Sequence, residues 1–157
     1  GQGGEVALAQ MSQAIDAWRS SGAELAWPYY LALLAEAYAR TGQVEKGLAA
    51  LTEALAVTEQ RGEKCWQPEL YRLMGELRLI QGEAGAEACF RQAIEIARQQ
   101  GAKAWELRAV VSLSRLWQGQ GRREEARQML QEIYYWFTEG FDTPDLKEAR
   151  ALLEELS

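Results

Sequence analysis

The chain has 157 residues, 48% of them hydrophobic, enough to bury a sizeable core as one domain. Its formal charge of −6 argues against a general nucleic-acid binder, and no apolar run approaches membrane-spanning length. It contains no histidine, which removes the commonest general base, the commonest metal ligand and every Ser–His or Cys–His nucleophile pair.

Gly1-Gln2-Gly3-Gly4 reads as a linker or cloning scar, and no basic-then-apolar leader is present. From residue 5 onward every segment between glycine clusters reads as helix and none as strand. Residues 5–20 place Leu8, Met11, Ile15 and Trp18 on one apolar stripe, stopped by Ser21-Gly22. The next helix covers 27–41, with Pro28 tolerable in its first turn and Thr41-Gly42 ending it. Residues 44–60 carry Val44, Leu48, Leu51 and Leu55 and end at Arg61-Gly62, a cation before a left-handed glycine cap. Residues 66–81 bring Leu70, Leu73, Leu77 and Ile80, and residues 84–100 carry Phe90, Ala93 and Ala97 up to Gly101. Helices at 103–119 and 122–138 make the last full pair. A final helix starts at Thr143-Pro144, an N-cap followed by proline, and carries Leu146, Leu152, Leu153 and Leu156.

These helices recur with a period of about 40 residues, marked by Gly42, Gly82 and Gly121. Small residues keep the same register: Ala35, Gly75 and Ser114 in the first helices, Gly47, Ala86 and Ala126 in the second. The expected fold is all-α, a right-handed solenoid of antiparallel helix pairs with seven to eight helices and a concave side. Its divisions would be a half repeat 5–21, repeats 26–62, 66–101 and 103–138, and a capping helix 143–156, all in one domain 5–157. The first helix lacks its partner, which predicts an exposed apolar flank covered by an upstream helix or a second chain.

This pattern resembles the tetratricopeptide repeat, whose units keep a small residue in each helix so that the two approach closely. The motif's large positions match Leu51, Phe90 and Leu130. The helices here run longer than the usual unit, and no proline closes a unit. Repeats of this greater length resemble those of the large bacterial signalling ATPases, including maltose-regulator-type transcription activators. The end of the chain, Trp136-Phe137-Thr138-Glu139-Gly140-Phe141-Asp142-Thr143-Pro144-Asp145-Leu146-Lys147-Glu148-Ala149, with Ala88-Cys89-Phe90-Arg91-Gln92-Ala93 before it, is similar to the C-terminal end of bacterial ATPases fused to class III adenylate or guanylate cyclases. The resemblance implies an interaction or regulatory module working on its own upstream ATPase domain or on a protein partner.

No phosphate-cradling GxxxxGK[ST] occurs, and the glycines sit where helices end. Cys65 and Cys89 form neither a CxxC pair nor a disulfide framework, which fits a reducing cytoplasm. Glu124 and Glu125 read as a solvated helix start. No catalytic residue, metal site or cofactor is therefore expected, and the chain is read as a non-enzyme. Trp18, Trp66, Trp105 and Trp136 are expected to pack between repeats rather than stack on a ligand. The run Tyr134-Tyr135-Trp136-Phe137 is too dense for one helix to bury whole.

Carrying over the tetratricopeptide register, first helices line the concave side with Tyr29, Ala32, Glu36 and Arg40, then Glu69, Arg72 and Glu76, then Arg108, Val111 and Arg115. Two readings fit this mixed groove. The charges satisfy one another across adjacent helices, each pair contributing at most about 1 kcal/mol, or they form a clamp for a peptide carboxylate. The alternation of signs favours the first. The alternatives to a regulatory segment are an assembly element, dimerising through the unpaired N-terminal helix, and a stand-alone adaptor holding a peptide in the groove. No contact with nucleic acid or membrane is expected.

Overall fold

The computed structural model describes residues 4–11, 13, 27–62, 64–82 and 84–157, with side chains from residue 30 onward in the stretch 27–62. Residues 4–11 are helical, and seven further α-helices follow. These are α1 (Trp27–Arg40), α2 (Val44–Arg61), α3 (Gln67–Ile80), α4 (Ala86–Gln100), α5 (Lys103–Gly119), α6 (Arg123–Tyr134) and α7 (Pro144–Leu156), with a 3-10 turn at Lys64–Trp66 before α3. No strand occurs among the described residues, so the chain is an all-α solenoid of TPR-like helix pairs. None of these helices is long and apolar enough to cross a membrane.

The glycine stops act as local backbone chemistry requires. Gly101 takes φ +66°, which a side chain would resist, and its N–H donates to the Arg98 carbonyl at 3.1 Å. The next N–H, of Ala102, donates back to Ala97 at 2.9 Å, satisfying two carbonyls that the helix end leaves open.

Two apolar clusters fill the interior. One gathers Leu31, Ala35, Leu51, Ala54 and Leu70 between α1, α2 and α3. The other gathers Phe90, Leu107, Leu113, Leu130 and Leu152 between α4 and α7, with Tyr71 and Leu79 of α3 reaching into it. Leu8, on the N-terminal helical segment, is buried in the first cluster, while Val6 beside it is exposed. Ile15 and Trp18 lie outside the described residues, and with them most of the helix expected over 5–20.

Small residues sit where paired helices approach most closely. A Cβ on Gly47 would stand 3.2 Å from the Ala35 carbonyl oxygen, so α1 and α2 touch almost backbone to backbone. A Cβ on Gly75 would stand 2.6 Å from Phe90 of α4. In the third pair, Ser114 Oγ donates to the Ala126 carbonyl at 3.4 Å. Ala35, Ala86 and Ala126 are buried at 0–2% exposure.

The helices form two layers. Helices α1, α3, α5 and α7 each touch the next, whereas α2, α4 and α6 at most graze one another. A stack that is close on one side and splayed on the other curves, and its concave side belongs to the first layer. Helix α7 packs on α5 and α6, so it takes the place that the first helix of a further pair would occupy.

The chain between α6 and α7 departs from expectation. Helix α6 ends at Tyr134 rather than 138. The N–H groups of Trp136 and Phe137 donate three residues back, to Ile133 and Tyr134, each at 3.2 Å. This tightening lets Phe137 fold onto the second core cluster and leaves Tyr135 and Trp136 exposed. Thr143 occupies the N-cap of α7 with extended backbone but makes no side-chain cap. Its hydroxyl donates instead to the Gly140 carbonyl at 2.7 Å, pinning the turn before the helix.

Candidate binding groove

Two contiguous cavities open on the α1/α3/α5/α7 side and share Arg108 as a wall. The first, about 90 Å³, is lined by Arg72 and Glu76 of α3, Arg108, Val111, Ser112 and Arg115 of α5, and Asp145 and Glu148 of α7. The helical repeat explains the set: Arg72 and Glu76 are one turn apart on α3, and Arg108, Val111 and Arg115 follow one stripe of α5.

Its charges are matched in pairs across the layer. Glu69 is buried, and both its oxygens accept from the Arg72 guanidinium, at 2.6 and 2.9 Å. The same carboxylate reaches Arg108 on the neighbouring helix at 2.8 Å. Arg108 also meets Asp145 of α7 at 3.6 Å, and Arg115 meets Glu148 at 3.1 Å. Glu76 lies 3.7 Å from Arg72. Burial on its own would lower the Arg72 pKa, but the hydrogen bond and charge of Glu69, with Glu76 and Glu36, outweigh it and raise it above the ordinary value. The Arg72 guanidinium therefore keeps its charge in spite of its burial.

The second cavity, about 220 Å³, has a different character. Ala32 and Leu33 of α1 and Leu70 and Leu73 of α3 make an apolar floor, with Trp66, Trp105, Glu36, Glu69 and Arg108 around it. The two indoles are half-buried, 6.1 Å apart between ring centroids and tilted at 53°. The Arg108 guanidinium sits 5.7 Å from the Trp105 ring centroid.

The structure thus brings together Ala32, Glu36, Glu69, Arg72, Glu76, Arg108, Val111 and Arg115 around one groove. Arg40 is exposed at the end of α1 and lines neither cavity, and the Tyr29 side chain lies outside the described residues. Three contributions escaped the sequence reading. Asp145 and Glu148 come from α7, the helix that the sequence marks only as a cap. Ser112 sits one position beside Val111, and its hydroxyl lies 3.5 Å from Arg72. Trp66 and Trp105 stand one repeat period apart, a signal that marked equivalent places on adjacent units. No group of three Cys, Asp or Glu side chains among the described residues is arranged to hold a metal ion.

On the outer side a separate cluster braces α4 to α5. The Trp117 indole N–H donates to Glu87, which also pairs with Arg122 at 3.0 Å and Arg91 at 3.4 Å. The Arg122 guanidinium lies 4.3 Å from the Trp117 ring centroid. The indole hydrogen bond comes first among the causes that hold Glu87 below the usual carboxylate range, the two arginine charges adding to it against burial.

No protein-family model matches the chain, and no curated protein matches it. Among solved structures it is similar to a Podosopora anserina protein described as a kinesin light chain with nearly identical TPR-like repeats. That likeness has a TM-score of 0.70 at 17% identity, over 98% of this chain and 77% of the other.

Proposed function

We propose that this chain is a protein-interaction module that holds a segment of a partner protein against the α1/α3/α5/α7 layer. The observation that carries the reading is the pair of contiguous cavities on the concave side, lined by four successive inner helices. A rigid curved layer with polar walls and an apolar floor suits an extended or helical polypeptide better than a small metabolite. The TPR-like architecture supports the same reading by analogy of fold.

The wider setting we propose is a bacterial cytoplasmic signalling ATPase of the maltose-regulator or cyclase-linked kind, in which the module biases the output of the ATPase domain. The long repeats and the closing residues Trp136 to Ala149 support that setting through their resemblance. The test is ATP hydrolysis by the parent polypeptide with this segment present and deleted. A changed rate or nucleotide affinity is the expected result, and identical kinetics defeat the regulatory reading.

One observation favours the alternative of an assembly element. Tyr135, Trp136 and Phe141 are 70%, 57% and 45% exposed on one turn, an unusual density of uncovered aromatic surface. Light scattering across a concentration series separates the two, because a mass that stays monomeric rules out self-assembly.

A further inference from the structure

The arginines that would have clamped an acidic peptide are already committed. Arg72 is held by Glu69 and Glu76, Arg108 by Glu69 and Asp145, and Arg115 by Glu148. Around the two cavities five carboxylates, Glu36, Glu69, Glu76, Asp145 and Glu148, face those three guanidiniums. The surplus is negative. An anionic ligand would have to break an ion pair to find a cation, whereas a cationic one would not.

The carboxylate held least closely is Glu36. It makes no hydrogen bond or close ion pair with a described residue, its charge reaches Arg72 only through space, and it stands at the cavity that carries the two tryptophans. A long cationic side chain has two needs, apolar surface for its methylene stem and negative charge or an aromatic face for its head. Leu33, Leu70 and Leu73 supply the first, and the Trp66 and Trp105 indoles with Glu36 supply the second. Trp105 already accepts one cation, since the Arg108 guanidinium lies 5.7 Å from its ring centroid. The cavity volume of about 220 Å³ suits one such side chain and excludes a folded domain.

We propose that this second cavity is a recognition pocket for a lysine or arginine side chain of the bound segment, with Glu36 as its counter-charge and Trp66 and Trp105 as its aromatic walls. The proposal rests on the reading of the groove as a polypeptide site and adds its selectivity: basic segments over acidic ones.

The test uses the full chain uniformly labelled with nitrogen-15, which reports backbone amides and indole N–H groups alike, and four blocked nonapeptides. They are identical apart from a central lysine, arginine, acetyl-lysine or glutamate between apolar residues. The lysine and arginine peptides should shift the Trp66 and Trp105 indole N–H resonances saturably and bind about tenfold tighter than the acetyl-lysine and glutamate peptides. Glu36→Gln should weaken the cationic peptides about fivefold at low salt and leave the melting temperature nearly unchanged, because its charge reaches Arg72 only through space and no hydrogen bond is lost. Equal binding of all four peptides, with shifts at residues of the α5/α7 cavity but not at the two indoles, overturns the pocket and leaves the groove reading standing. An unchanged affinity in Glu36→Gln also overturns it. Absence of any shift on the inner layer with all four peptides removes the pocket and the groove together.

Discussion

Substitution of Gly75 by alanine sets two effects of opposite sign against each other. In an exposed helix the change would stabilise by up to about 1 kcal/mol, because alanine restricts the unfolded chain and favours the helix. Here the new Cβ would stand 2.6 and 2.8 Å from two ring carbons of Phe90. That ring is fully buried among Ala93, Ile94, Leu107 and Val110, so it has no free volume to turn into. Overpacking of this kind costs roughly 1–3 kcal/mol. The net expectation is a loss of about 1–2 kcal/mol, which for a chain of this size lowers the melting temperature by roughly 2–8 °C. Thermal and urea unfolding followed by circular dichroism measure it. Gly119→Ala is the control: its Cβ meets nothing within 4 Å, so the same substitution should leave stability unchanged or slightly raised. Combining Gly75→Ala with Phe90→Leu should cost less than the sum of the two single changes, since the smaller side chain makes the room the methyl needs. A Gly75→Ala variant as stable as the parent would refute the close approach of α3 and α4 as the reason for glycine at this position.

Glu69→Gln removes the carboxylate that neutralises Arg72 and Arg108 where Glu69 and Arg72 are only 8% and 12% exposed, so it should destabilise by about 3 kcal/mol in urea unfolding. A midpoint equal to the parent would show that water reaches this network. For Glu87, whose folded pKa lies below the ordinary carboxylate value of about 4.3, the linked stability is complete above that value. It is lost as the pH falls through the folded pKa. Unfolding measured from about pH 6 to pH 3 should therefore lose stability less steeply in Glu87→Gln than in the parent, and parallel curves would remove the Trp117–Glu87–Arg122 brace as an acid-sensitive element. Trp136→Ser removes an exposed ring and should change stability by no more than about 0.5 kcal/mol. If the parent self-associates, the same variant should lower its mass in light scattering, and an unchanged oligomer would exclude that turn from the contact.

The helices were legible in the chain because their signals are local. Apolar stripes such as Leu70, Leu73 and Leu77, and glycine stops such as Gly62 and Gly101, act within one or two turns of backbone. Failures came where the local signal was ambiguous. Tyr134 to Phe137 continues a helical composition, yet the chain tightens there because Phe137 gains more by folding onto the core than by extending α6. Thr143 is the N-cap of α7 with Pro144 after it, as the residues indicate, and only the side-chain hydrogen bond differs, donated to the Gly140 carbonyl with none accepted from the helix.

The repeat register placed Glu69, Arg72, Arg108 and Arg115 on one side of the molecule, since equivalent residues of stacked units face the same way. It could not show that Asp145 and Glu148 complete that side, because α7 follows an irregular turn and stands outside the register. Nor could it tell a charge that is spent from one that is free. Period, helix ends and apolar faces follow from contacts between near neighbours in the chain, and residue order alone carries them. Which carboxylate each arginine takes depends on side chains brought within about 3 Å from helices a whole repeat apart. Only the packed stack decides that Glu69 is shared, that Arg115 turns to α7, and that Glu36 stands beside two tryptophans without a close ion pair to a described residue.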